Sequence, residues 1–353
     1  MTTTFTNRED IERKTLLILR ILHEAGGPLG SRILARKMKD RGYAPSERAV
    51  RYHLKLMDER GLTRLVDKRD GRMITARGID ELGEARVRDK VGLAISRIEI
   101  LAFQTTFNPE TRDGLLPINI SFFSTASFPH AMKIMRPVFE SGFAVSNRVA
   151  VARAGQYLGD VLVPEGKIGF ATVCSIVVNG VLLKHGIPMD SKFGGILQVK
   201  NRHPLRFAEL IYYSGSSLDP SEVFIRGKMT SVGSAIEKGE GMILANFREI
   251  PAPCQALTRD LLAKMGKAGI NGVLVTGKIS EPVCQVPVEV NKVGIILIGG
   301  LNPVACVQES SIDVENRAMS TVMGYCELLP FAEIFERYRE RRRKKQLSMI
   351  SEQ

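Results

Sequence analysis

The sequence predicts a multidomain chain: a small N-terminal winged helix-turn-helix of α+β type, then a larger α/β (or α+β) region built from two similar halves. Three observations predict it. Positive charge is concentrated at the N-terminal end; that end carries three helical patterns followed by a hairpin pattern; and segments of the remainder recur at a period of roughly 125 residues. The boundaries expected are 1–90 for the first domain, 91–335 for the second (halves about 98–217 and 218–335), and 336–353 for a basic tail.

The 353 residues are 44% hydrophobic and 25% charged, a soluble globular composition. No apolar run reaches the roughly 18 residues of a membrane span; the nearest, 168–183, is interrupted by Asn179. The polar start MTTTFTNRED is no secretory signal. Five cysteines form no CxxC pair, which argues against a disulfide framework and a structural zinc and points to reduced thiols in a cytoplasmic protein. Of the net +12, residues 1–90 carry +7 (21 Lys/Arg against 14 Asp/Glu) and residues 333–353 carry +3. A basic head on a nearly neutral body points to a polyanionic partner.

In the head, Ile11, Leu16, Leu17, Leu19, Ile21 and Leu22 mark a buried first helix, Arg8 to Ala25, stopped by Gly26-Gly27-Pro28. Ser31 is expected to cap a second helix with Ile33, Leu34 and Met38 inward and Arg32, Arg36, Lys37 and Lys39 outward. Ser46 caps a third, Glu47 to Arg60, ended by Gly61, whose Val50, Leu54 and Met57 form one core stripe while Arg48, Arg51, Tyr52 and Lys55 project elsewhere. Residues 62–66 and 72–75 flank a Gly-containing turn and read as the hairpin wing, with Lys68, Arg69 and Arg72 on it; a closing helix spans Arg77 to Arg88. A helix of this kind fits the major groove, where Arg bonds guanine bidentately and other cations neutralise phosphates. The expected DNA-binding residues are Ser31, Arg32, Arg36, Ser46, Arg48, Arg51, Tyr52, Lys55, Lys68, Arg69 and Arg72. The stretch SERAVRYHLKLMDERGLTRLV…GRMITARGIDELG resembles the winged helix of ribonuclease R and of several repressors.

In the body, Gly155…Val163-Pro164…Lys167-Ile168-Gly169-Phe170…Asn179-Gly180-Val181 aligns with Gly277…Val286-Pro287…Lys292-Val293-Gly294-Ile295…Asn302-Pro303-Val304. Upstream, Val149-Ala150-Val151 aligns with Val273-Leu274-Val275; downstream, Pro220–Phe224 echoes Phe331–Phe335. Each half reads strand, helix, strand, loop, apolar run, helix. Ile98–Phe103 and Ile118–Phe123 read as strands. Leu328, Phe331, Phe335 and Tyr338 have helical spacing and run into Arg341–Lys345, a solvated end or an extra phosphate contact. Two halves related by a pseudo-two-fold place equivalent loops together, and their interface is a natural ligand cleft.

The segments ATVCSIVVNGVLLKHGIP, FGGILQV, SGSSLDPSEVFI, ANFREIPA and VGIILIGGLNPVACVQESSIDVENRAM resemble the effector domain of the NrpR family of nitrogen-regulation repressors. With the winged helix in front, the resemblance spans about residues 10 to 335. It implies a repressor that binds palindromic double-stranded operators as an oligomer, here a homodimer, and releases them when 2-oxoglutarate binds. Many members carry two effector domains, whereas this chain has one. No separate cofactor, metal or membrane is implied.

A dicarboxylate needs cationic, hydroxyl or backbone N–H donors. Two equivalent loops offer them, Thr172-Val-Cys174-Ser175 leading to Asn179, and Gly299-Gly300-Leu301-Asn302-Pro303, with Arg226 and Arg248 the nearest cations. Cys174 reads either as a reactive thiol or as a small buried residue. The expected effector residues are Thr172, Cys174, Ser175, Asn179, Arg226, Arg248, Gly299, Gly300 and Asn302. No P-loop, HExxH or GxSxG supports an enzyme. A DNA-binding scaffold without ligand control is the competing reading.

Overall fold

Helix α1, Thr3–Ala25, begins earlier than its apolar pattern in the computed structural model, which describes residues 3–67, 70–83 and 91–339. The chain divides into two units, residues 1–91 with 160–164 and residues 92–159 with 165–353. In the first unit Ile18, Leu19, Ile21 and Leu22 of α1 pack with Leu34 and Met38 of α2, Ser31–Lys39, and with Val50, Leu54 and Met57 of α3, Glu47–Glu59. Burying such side chains contributes about 1.5–3 kcal/mol each.

Two local expectations fail. Gly30, not Ser31, occupies the cap position of α2, and the Ser31 hydroxyl instead donates to the Glu47 carboxylate at 3.1 Å. Ile33 is 40% exposed, because the single apolar stripe of α2 is set by Leu34 and Met38, one turn apart. Ser46 does cap α3, accepting from the Ala49 N–H at 3.2 Å. The wing consists of β1, Thr63–Asp67, antiparallel to β2, Gly71–Ile74, and α4 follows as Ala76–Gly83. The remainder of the expected closing helix lies outside the described residues. Asp58 staples the wing to α3: one carboxylate oxygen accepts from Thr63 and the other from Arg72, both at 2.6 Å.

The second unit opens with α5, Leu93–Gln104, where the sequence reading expected a strand. Ala94, Ile98, Leu101 and Ala102 are buried at helical spacing while Phe103 is 71% exposed, a pattern that short apolar runs do not disclose. The strands that follow along the chain, of which β6 belongs to the first unit, are β3 (Leu115–Ser124), β4 (Arg148–Arg153), β5 (Tyr157–Leu158), β6 (Val161–Leu162), β7 (Lys167–Val173), β8 (Asp190–Lys200), β9 (His203–Tyr212), β10 (Gly241–Pro251), β11 (Val273–Ile279), β12 (Lys292–Ile298), β13 (Glu315–Gly324) and β14 (Leu329–Pro330). The helices among them are α6 (Phe128–Glu140), α7 (Ile176–Lys184), α8 (Pro220–Arg226), α9 (Val232–Glu237), α10 (Gln255–Lys267) and α11 (Asn302–Glu309), with a last helix over 331–339. Phe331 and Phe335 of that last helix are buried against the core, and Tyr338 meets Phe128 edge-on at 5.3 Å.

Two five-stranded sheets result, ordered β13-β3-β7-β4-β14 and β9-β8-β10-β12-β11. Their pairings are antiparallel, which selects α+β of the two classes expected. Apart from the two-residue strands β5 and β6, the sequence of strand, helix, strand, strand, helix, strand over 115–200 recurs over 241–324. The halves exchange their last strands: β8 pairs with β10, and β13 pairs with β3. The sheets therefore do not follow the two sequence halves. Registers make the equivalence specific. Asn119 lies opposite Thr172 beside the Ile118–Val173 pair, and Asn246 lies opposite Leu297 beside the Ala245–Ile298 pair, so Asn119 and Asn246 are counterparts.

Candidate functional site

On α3 the buried stripe fixes which residues face outward. Arg48, Arg51, Tyr52 and Lys55 are all exposed, the Arg51 side chain by 62% and Tyr52 by 61%. Arg51 lies 3.8 Å from Glu47 and Lys55 lies 4.0 Å from Glu59, i,i+4 contacts worth only a few tenths of a kcal/mol and readily exchanged for a phosphate. Arg32 and Arg36 are exposed on α2. Arg72 departs from expectation: its ion pair with Asp58 and its backbone bonds to Leu29 make it the anchor of the wing rather than a free cation. Lys68 and Arg69 lie outside the described residues. Arg64, exposed on β1, is a cation that sequence reasoning passed over; strand alternation beside the buried Thr63 would have pointed to it.

In the second unit the two expected loops do meet. A Cβ on Gly300 would lie 2.5 Å from the Asn119 amide nitrogen and 2.7 Å from the Val173 carbonyl, so this position admits only glycine at so close an approach. Reciprocally, Asn246 donates to Ser175 at 3.2 Å and accepts from the Tyr213 hydroxyl. Cys174, Ser175, Asn246, Arg248 and Gly300 line one small cavity of about 20 Å³ with Tyr213 and Asp219. Arg248 is 1% exposed. It donates from Nη1 to Ser191 and lies 5.8 Å from the Tyr213 ring, and its Nε has no partner. Among the described residues it forms no ion pair; the Asp219 carboxylate instead accepts the Ser221 N–H at 2.7 Å to cap α8. Burial lowers the guanidinium pKa, yet arginine stays charged. A buried cation without a direct ion pair and with a spare donor has the chemistry to take up an anion.

Asn179 joins the cluster through Ser191, at 3.1 Å. Other expected effector residues have structural duties. Thr172 accepts from Asn119 at 3.3 Å. Asn302 bridges both backbone groups of Leu244, at 2.8 and 3.1 Å. The Gly299 N–H is bound to the Leu244 carbonyl at 2.8 Å, so it is not free for an anion. Arg226 has a side chain 70% exposed and 3.6 Å from Glu222, outside the cavity lining. Cys174 is buried and burial pushes its thiol up to about 12, the behaviour of a small packed residue. Ser191, Tyr213 and Asn246 were missed. Asn246 was the legible one, since it shares a strand face with Arg248 two residues on.

Glu222 borders this region, accepting the Ala318 N–H at 2.7 Å. Burial, then the nearby Asp219 charge, raises its pKa to about 7. The folded protein thus binds a proton more readily than the unfolded chain between the ordinary value of 4.5 and about 7. This group's contribution to stability is present below that window and is lost as pH rises through it. A Glu222→Gln variant is expected to flatten the pH dependence of thermal stability across that window; an unchanged slope would contradict it. A separate cluster, Asp190, Glu249 and Glu289, has metal-ligand proximity, but Lys192 and Lys292 sit among the three carboxylates. Hydrogen bonds from these lysines hold the Glu289 carboxyl down to about 2, a closed ionic network rather than a cation site.

Among the described residues no helix is long and apolar enough to cross a membrane. Residues 91–329 match the NrpR regulatory domains NRD1 and 2, and residues 16–82 match the ribonuclease R winged-helix domain. The global nitrogen regulator NrpRI of Methanosarcina mazei is 42% identical over 89% of this chain and 97% of its own length. The global nitrogen regulators NrpR of Methanococcus maripaludis and Methanocaldococcus jannaschii are 33% and 34% identical, and the chain spans only 51% and 54% of their lengths. A crystal structure of a nitrogen repressor-like protein from Methanococcus jannaschii superposes with a TM-score of 0.58 at 25% identity, over 68% of this chain and 99% of that one. With a ribonuclease R-type winged helix in front of a regulatory region matched over 91–329, this chain belongs to the NrpR family of nitrogen regulators, which are repressors and not enzymes.

Proposed function

We propose that the chain represses nitrogen-assimilation genes by binding palindromic double-stranded operators as a homodimer, and that 2-oxoglutarate releases it. One observation carries the DNA half: the cationic side of α3 is exposed while its opposite stripe, Val50, Leu54 and Met57, is buried. In a two-fold dimer, two such helices meet half-sites about one helical turn, roughly 34–36 Å, apart. Arg48 and Arg51 read bases; Arg32, Arg36, Lys55 and Arg64 contact phosphates.

The effector half is supported by Arg248, a buried cation whose spare donor suits one carboxylate of 2-oxoglutarate. The surrounding cavity, about 20 Å³, accommodates no more than a water, so the ligand requires a more open arrangement. A ligand that prefers one arrangement shifts the equilibrium toward it, and a ten- to hundredfold change in operator affinity needs only about 1.4–2.8 kcal/mol of coupling.

The test is operator binding by fluorescence anisotropy, with and without millimolar 2-oxoglutarate. Arg48→Ala and Arg51→Ala are each expected to cost about 1–3 kcal/mol on the operator and to leave affinity for random duplex nearly unchanged. Normal operator binding by both variants would remove α3 as the reading helix. Unaltered operator binding and unaltered melting with 2-oxoglutarate would favour a scaffold without ligand control.

A further inference from the structure

Ser191 stands between Arg248 and a much larger space. Its Oγ accepts from Arg248 Nη1 and from Asn179 Nδ2, and both Ser191 and Asn179 line a cavity of about 590 Å³ walled by Ile98, Leu183 and Met189. That volume is within the usual range for small-molecule sites. Two buried polar atoms at this junction lack partners, Arg248 Nε and Asn179 Oδ1. Turning the Asn179 amide over changes which end is left unpaired and satisfies neither arrangement completely.

The pseudo-two-fold supplies an internal control. Arg248 pairs in register with Ser191, and the equivalent pair in the other sheet is Ser121 with Asn316. There the Ser121 hydroxyl donates to Asn316 at 2.8 Å, and the Asn316 amide donates onward to Gln308 at 3.2 Å. That arrangement is neutral and satisfied. The fold thus builds the same junction without a charge, and the cation with surplus donors in the other sheet is not required by packing.

We propose that Ser191 is a placeholder: its hydroxyl and a ligand carboxylate compete for the Arg248 guanidinium, and the 590 Å³ cavity is the ligand's route to it. This rests on the reading above that Arg248 receives the effector. A hydroxyl engages one guanidinium donor, whereas a carboxylate engages two in parallel, here the terminal Nη1 and Nη2, so the incoming group gains a bond and a charge that the serine cannot offer. The freed serine can then turn its own O–H toward the ligand or toward the Asn179 carbonyl oxygen.

Calorimetric titration of the full chain with 2-oxoglutarate, paired with thermal melts, tests it. Ser191→Ala removes the competitor, and its Kd is expected to be roughly three- to tenfold lower than that of the unsubstituted protein, with a larger ligand-induced rise in Tm. Ser191→Asp places a carboxylate on the guanidinium from within, and its Tm is expected to be indifferent to 2-oxoglutarate. A Ser191→Ala protein that binds as well as or more weakly than the unsubstituted chain overturns the placeholder, as does a Ser191→Asp protein that still responds. Absence of any response in the unsubstituted chain overturns the effector reading itself, and the placeholder with it.

Discussion

Replacing Arg248 by methionine is expected to leave thermal stability unchanged or raised while abolishing the response to 2-oxoglutarate. A guanidinium that is 1% exposed has lost its hydration and regains a serine hydroxyl, a tyrosine face 5.8 Å away and the influence of buried Asp219, with no ion pair. Exchanging a buried charge for an apolar side chain of similar length is often neutral or stabilising by about 1–4 kcal/mol. Ser191 keeps its bond from Asn179 at 3.1 Å, so the exchange strands no hydroxyl. The unsubstituted protein at a hundredfold excess of ligand over Kd should gain about 2.7 kcal/mol from binding. The variant should gain nothing, and its operator affinity should be the same with and without ligand. A variant that melts well below the unsubstituted protein and still shifts with ligand would show that Arg248 holds the fold together and does not receive the effector.

That opposition between stability and response also explains how much of the site could be read from the sequence. The Ser46 cap and the Val50, Leu54, Met57 stripe were legible because a helix terminus and a helix face are written within one or two turns of chain. The duplication was legible because it repeats apolar segments in order. The strand exchange was not, since β8 and β13 carry no mark that tells which sheet they join; only pairing partners distant in sequence decide it. Arg248 was visible as a cation in a strand, but its isolation was not. It depends on Ser191 and Tyr213, 57 and 35 positions away, and on Asp219, whose carboxylate shares the cavity but caps α8 instead of pairing with the guanidinium. Ile98–Phe103 misled because six residues, apolar but for Glu99, are too few to show a helical period. Arg72 misled for a related reason: its partner Asp58 lies 14 residues back, so a structural anchor looked like a free wing cation.

Gly71→Ala is expected to detach the wing. Its backbone sits at φ +94, where an L side chain is strained, and an added Cβ would lie 2.3 Å from the Leu29 carbonyl oxygen and 2.6 Å from the Gly30 nitrogen. These are backbone atoms and cannot swing aside. Relief requires parting β2 from residue 29, which sacrifices the bonds between Leu29 and Arg72 at 2.8 and 3.0 Å and disturbs the Arg72–Asp58 pair that ties β2 to α3. Strain of about 1–3 kcal/mol and two hydrogen bonds near 1 kcal/mol each give a loss of about 3–5 kcal/mol in the winged helix. Hydrogen exchange should quicken across α3 and β1–β2 and stay as before in β10 and β12, with operator binding lost. Gly42→Ala is the control: it carries φ +84 with nothing within 4 Å of the added carbon, so it bears the conformational penalty alone, about 1 kcal/mol. Equal losses in the two variants would mean that backbone strain, and not the close approach of Leu29, fixes the wing against the reading helix.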